Sequence, residues 1–181
     1  MNRKCFIIMI ISILQLVLLS GCDKDVNKPI VTGMEVNQQN WTKHPLILEI
    51  DKIKDEIDKE ISAKKYQQKE KSIEFSEPWV PTSKVVYLKE DNNTIKYTQE
   101  AGSDDSALRY QYYYDDLGKL RFVMISGGAV NGSELEHKIY FSSDGKRIWE
   151  THRYLKGPGY SFPEIWPEEE IVFNPKDEFE K

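Results

Sequence analysis

"LRYQYYYDDLGKLRFVMIS", Leu108 to Ser126, decides the fold. Apolar and polar side chains alternate on both sides of Asp115-Asp116-Leu117-Gly118-Lys119, the pattern of a β-hairpin closed by a short loop. Glycine takes a left-handed backbone without steric cost, so Gly118 marks the αL position of a three-residue loop with a bulge. That loop sets Asp115 opposite Lys119. It gathers Leu108, Tyr110, Tyr112, Tyr114, Leu120, Phe122 and Met124 on one face. Arg109, Gln111, Tyr113, Arg121, Val123 and Ile125 take the other. A two-residue loop would slip the pairing by one and mix the faces, and burial of one face selects the register that segregates them.

The frame recurs downstream in "ELEHKIYFSSDGKRIWETHRYL", Glu134 to Leu155, where Tyr140-Phe141 and Gly145-Lys146 stand 27 residues beyond Tyr113-Tyr114 and Gly118-Lys119. The same loop puts Ser142 opposite Lys146 and collects Leu135, Ile139, Phe141, Trp149 and Leu155. The repeated hairpin loosely resembles the Tyr-Asp hairpins of YD-repeat proteins, but three hairpins are too few for a repeat array. The third lies upstream in "KVVYLKEDNNTIKYTQ", Lys84 to Gln99, where Asn92-Asn93 suits a type I′ turn.

Before the hairpins, Pro45 to about Lys65 reads as a helix. Ile50, Ile53, Ile57 and Ile61 form a narrow apolar stripe, charged residues fill the other faces, and Pro45 suits the first turn. The stripe is expected to cover a sheet. A partner helix making an oligomer is the alternative. "KKYQQKEK", Lys64 to Lys71, reads as a solvated or fraying helix end. The expected fold is therefore α+β, one N-terminal helix on a six-strand antiparallel meander. A short strand at Ile30–Val36 would make the order similar to cystatin-like folds.

After the hairpins the chain runs "KGPGYSFPEIWPEEEIVFNPKDEFEK", Lys156 to Lys181. Pro158, Pro163, Pro167 and Pro175 forbid long regular elements, and "EEIVFN" suggests an edge strand. Tyr160, Phe162 and Trp166 either cover the end of a core or line a binding groove.

The N-terminus carries an address. Arg3 and Lys4 precede an apolar run from Cys5 to Leu19, about fifteen residues, where a spanning helix needs roughly twenty. Leu19-Ser20-Gly21-Cys22 resembles the lipobox of bacterial lipoproteins. The resemblance implies cleavage before Cys22, a diacylglycerol on its sulfur, and a membrane-anchored protein of the cell envelope. Asp23 is compatible with the periplasmic face of the inner membrane or with the cell surface. The expected organisation is a signal peptide over 1–21, a polar tether over 22–40 and a single α+β domain over 41–181.

Cys5 and Cys22 are the only cysteines, so a mature body cut before Cys22 has no disulfide and no thiolate metal site. The 25 basic and 30 acidic residues give a net charge of −5, and loss of Arg3 and Lys4 makes the body more acidic still. Acidity excludes a phosphate backbone as the expected partner and leaves membrane contact to the lipid.

Catalytic signatures are weak. His137, Glu150 and His152 could ligate zinc, but the bulged register puts His137 and His152 on opposite faces, so no metal is expected there. Ser62-x-x-Lys65 and Ser143-x-x-Lys146 match a penicillin-binding pattern only by spacing, since neither serine opens a helix. "SGGAVNGS", with Ser126, Gly127, Gly128, Asn131 and Gly132, lacks a P-loop lysine. It reads as a flexible connection or a recognition loop. The sequence thus points to a lipid-anchored binding or accessory protein of the envelope, with an unidentified protein or glycan ligand. The alternatives are an envelope hydrolase and a structural, oligomerising lipoprotein. No cofactor is expected beyond the lipid.

Overall fold

A computed structural model describes residues 35–181. Helix α1 (Pro45–Ser62) is followed by strands β1 (Gln67–Ser72), β2 (Ser83–Leu88), β3 (Thr94–Gly102), β4 (Ser106–Tyr114), β5 (Leu120–Ala129), β6 (Glu134–Phe141) and β7 (Arg147–Lys156). A 3₁₀ turn at Glu168–Glu170 and the short helix α2 (Pro175–Glu180) close the chain. The strands form one antiparallel sheet in chain order, β1 to β7. The class is α+β as expected, but the sheet has seven strands where six were expected.

The additional strand is β1, in the segment that reads as a helix end. Pro45 occupies the first turn of α1, where the His44 ring nitrogen accepts from the Leu46 amide. Lys64 turns left-handed (φ 57°) and stops the helix. Gln67–Ser72 then pairs with β2 through its backbone. It is an edge strand exposed on both faces, so it needs no apolar alternation and carries none. At the other end, "EEIVFN" forms a 3₁₀ turn and irregular chain instead of a strand. The strand expected at Ile30–Val36 lies mostly outside the described residues, and Glu35 and Val36 belong to no strand.

The hairpin loops close as expected. The Asp115 amide donates to the Lys119 carbonyl and that of Gly118 to the Asp115 carbonyl, with Gly118 at φ 72°. Ser142, Lys146 and Gly145 repeat the arrangement. The first hairpin follows it too. Lys89 pairs with Asn93 and Asn92 alone takes positive φ, so the turn is a three-residue loop and not type I′.

Beyond each loop a second bulge corrects the expected faces. Tyr114 pairs with Leu120, but Tyr113 pairs with Phe122, which leaves Arg121 without a partner. Phe141 pairs with Arg147 and Tyr140 with Trp149, leaving Ile148. Leu88 pairs with Thr94 and Tyr87 with Lys96, leaving Ile95. A bulge shifts everything after it to the opposite face. Phe122 and Met124 therefore face α1 with Tyr113, while Val123 and Ile125 join Tyr110 and Tyr112. Trp149 likewise moves to the helix side, and Tyr154 replaces Leu155, which is 51% exposed, opposite Leu135.

The two faces have different covers. On the inner face, Ile47, Ile50 and Ile57 of α1 pack on Ile95, Tyr113, Phe122 and Tyr140. Each isoleucine buried this way contributes roughly 1.5–3 kcal/mol. The bulge turns Arg121 inward as well, where its buried guanidinium donates to Glu49 at 3.0 Å and to the Phe141 carbonyl at 3.2 Å. The outer face is covered by the segment that follows β7.

Candidate functional site

That segment crosses the outer face held by side chains of the sheet. Tyr112 and Tyr114 donate their hydroxyls to the carbonyls of Glu170 (3.4 Å) and Val172 (2.7 Å). The buried ammonium of Lys84 donates to the Glu178 carbonyl at 2.8 Å. The Tyr160 hydroxyl donates to Asp105 at 2.5 Å. Trp166 is 3% exposed and lies edge-on to Tyr110 and His137. The outward-pointing tyrosines of the hairpins thus serve two ends: rings in the core, hydroxyls on the covering chain.

A clasp on β6 and β7 fixes Trp166. Glu150 accepts from the His137 ring at 2.5 Å and from the Trp166 amide at 2.7 Å through one oxygen, and from Arg147 at 2.7 Å through the other. Arg147 also donates to the Trp166 carbonyl at 2.9 Å. Burial would raise the Glu150 carboxyl, but the His137 and Trp166 hydrogen bonds and the Arg147 charge outweigh it and hold it below the usual range. Burial, with His137 beside it, lowers His152.

This geometry overturns the expected separation of His137 and His152. The bulge at Ile148 puts them on one face, directly paired, with ring centroids 5.4 Å apart. Glu150 stands with them, but its oxygens are already engaged by protein donors. Among the described residues no group of three or more His, Cys, Asp and Glu side chains is arranged to hold a metal ion.

The remaining candidates divide. Ser126, Gly127 and Gly128 are not a loop: they belong to β5. Glycine is required there because a Cβ on Gly127 would stand 2.1 Å from the Ala107 carbonyl oxygen, and one on Gly128 2.3 Å from that of Ser133. Asn131 and Gly132 form the turn, and Asn131 and Ser133 both donate to the Gly159 carbonyl. The loop is thereby tied to the tail. Cys22 lies outside the described residues.

The cover is incomplete, and the gap is the candidate site. A groove of about 820 Å³ runs between the outer face and the C-terminal segment. Gln99, Ala101, Leu108 and Tyr110 line it from the sheet. Phe162, Trp166 and the chain from Glu169 to Asn174 line it from the tail, and Trp79 from the β1–β2 connection. Burial and the neighbouring Glu170 charge push the Tyr110 hydroxyl well above its ordinary pKa, so it is a neutral donor.

Sequence reasoning missed Trp79. It is 43% exposed and holds φ 67°, a left-handed backbone that a bulky residue avoids. A 2.7 Å hydrogen bond from its amide to the Gly102 carbonyl fixes it there. Strain of this kind concentrates at ligand sites. The available signal was "PWVP", an aromatic between Pro78 and Pro81 just ahead of a strand. Compared with protein-family models, curated proteins and solved structures, the chain gives no match.

Proposed function

We propose that the chain is a lipid-anchored binding protein of the cell envelope and that the groove on the outer face is its ligand seat. The lipobox at Leu19–Cys22 supports the anchor, with a diacylglycerol on Cys22 as its only membrane contact. The acidic body supports an envelope protein or glycan as ligand in preference to nucleic acid.

One observation carries the reading: a groove of about 820 Å³, within the size range of small-ligand sites, in which Tyr110 is 7% exposed and its hydroxyl meets no partner among the described residues. The helix-on-meander order, similar to cystatin-like folds, leaves the second face of the sheet to a different cover. Here that cover closes only part of the face.

The test has two arms on the full-length protein. Metabolic labelling with an alkyne-tagged fatty acid should mark the wild type and not Cys22→Ser. A thermal-shift screen of envelope glycans and peptides should give ligands whose stabilisation is lost in Trp79→Ala and Tyr110→Phe. Unlabelled wild type would remove the anchor, and ligands indifferent to both groove substitutions would remove the groove.

A further inference from the structure

We infer that the groove takes an organic cation, an ammonium or guanidinium group on an apolar body. The inference rests on the groove being the ligand seat and adds the chemistry of its occupant.

The charges lining the groove do not balance. Glu169, Glu170, Asp177, Glu178 and Lys181 all border it. Glu178 is compensated twice, by Lys181 at 2.9 Å and by the buried Lys84 at 3.6 Å. That uses Lys181, the one cation lining the groove among the described residues. Glu169, Glu170 and Asp177 form no ion pair among the described residues, and Asp177 has only a hydrogen bond from Asn174 at 2.6 Å. Among the described residues three exposed carboxylates therefore stand without an ion pair of their own beside Ala101, Leu108 and Tyr110, and Asp177 feels only the more distant charge of Lys181.

The walls suit the same ligand. Trp79, Tyr110, Phe162 and Trp166 bring aromatic rings to one cavity, and ring faces attract cations, more so when water is displaced. Tyr110 is 7% exposed, its hydroxyl has no hydrogen-bond partner among the described residues, and its ring centroid lies 5.7 Å from that of Trp166. It is a polar handle on the sheet side of the groove, facing the Glu170 charge of the rim. A neutral sugar would use the rings and the hydroxyl but leave the three carboxylates uncompensated. An anion would be repelled by them. A cation with an apolar body satisfies rings and rim together.

The test titrates full-length protein in non-ionic detergent with three probes: benzyltrimethylammonium, benzyl alcohol and chitotriose. Tryptophan fluorescence and calorimetry read binding. Benzyltrimethylammonium should bind saturably and about tenfold or more tighter than benzyl alcohol. Its affinity should fall as salt rises from about 0.05 to 0.5 M. The triple variant Glu169→Gln, Glu170→Gln, Asp177→Asn changes exposed residues and should keep its melting temperature while losing that preference. If benzyl alcohol or chitotriose binds as well as the cation, and the triple variant binds like wild type, the groove stands and the cation inference falls. If none of the three probes binds saturably, both fall.

Discussion

Tyr113 and Tyr140, 27 residues apart in the sequence, make the same contact with α1: Tyr113 donates its hydroxyl to Asp58 at 3.1 Å and Tyr140 to Asp51 at 3.2 Å. The tyrosines lie two strands apart, about 9.6 Å. The aspartates lie two helical turns apart, about 10.5 Å. The hairpin repeat and the helical heptad match in length, so one helix laid across the strands meets both copies in the same way.

Each hydroxyl should be worth about 1 kcal/mol, and Tyr113→Phe and Tyr140→Phe should add, because they report to different carboxylates. Asp58→Ala should cost more, about 2–3 kcal/mol. Asp58 also accepts from Lys96 at 2.6 Å, and Lys96 is 8% exposed. Urea denaturation measures all three. An Asp58→Ala cost no greater than that of Tyr113→Phe would show that Lys96 does not depend on the pair.

The glycines should separate into two classes. Gly118 and Gly145 are left-handed with open space around them, so Gly118→Val and Gly145→Val suffer strain alone, about 1–2 kcal/mol. Gly118→Asn should be milder, since Asn92 already fills the equivalent position in the first hairpin. Gly127→Ala should exceed them all, because its new Cβ meets backbone that cannot yield. Ranked melting temperatures check the order, and a Gly127→Ala protein as stable as wild type would refute the close approach of β4 and β5.

Much of this was legible in the sequence. Gly118 and Gly145 announce their loops because few residues tolerate that backbone. The bulges at Ile95, Arg121 and Ile148 do not, since any residue can occupy such a position. Their trace is the adjacent apolar pair Phe122-Val123, which no strictly alternating strand requires. β1 was hidden for a different reason: an edge strand exposed on both faces buries nothing and leaves no hydrophobic period. The groove was hidden because its two sides lie far apart in the chain, Trp79 before the hairpins and Phe162 after them.

Acid should weaken the hold on the tail. The Glu150 carboxyl and the His152 ring both sit below their ordinary pKa values in the folded protein. The unfolded chain then binds more protons at each, so stability is fully present above the unfolded values, about 6.5 for His and 4.3 for Glu. It is lost as pH falls below each. Melting temperature should decline from near neutrality, and more steeply below about pH 4.5. Glu150→Gln should flatten the lower part of the curve, whereas an unchanged profile would remove the clasp from the account.

Trp79→Asn should cost little stability, because asparagine tolerates the left-handed backbone that tryptophan resists. Its melting temperature should lie within a few degrees of wild type while groove binding is lost. A large destabilisation would make Trp79 a core residue instead of a ligand contact.

The outer face has a consequence for the order in which the protein is made. All seven strands and α1 are complete once Lys156 has been synthesised, and each strand pairs only with its neighbours in sequence. The residues that cover Leu108, Tyr112, Ile125 and Ile139 come after, with Trp166 and Ile171 in the final stretch. A nascent chain can therefore hold a finished sheet with one bare apolar face, a form prone to association. A chain that stops short of Trp166 would remain in that form, so the C-terminal segment shields the apolar face of the sheet as well as forming one wall of its groove.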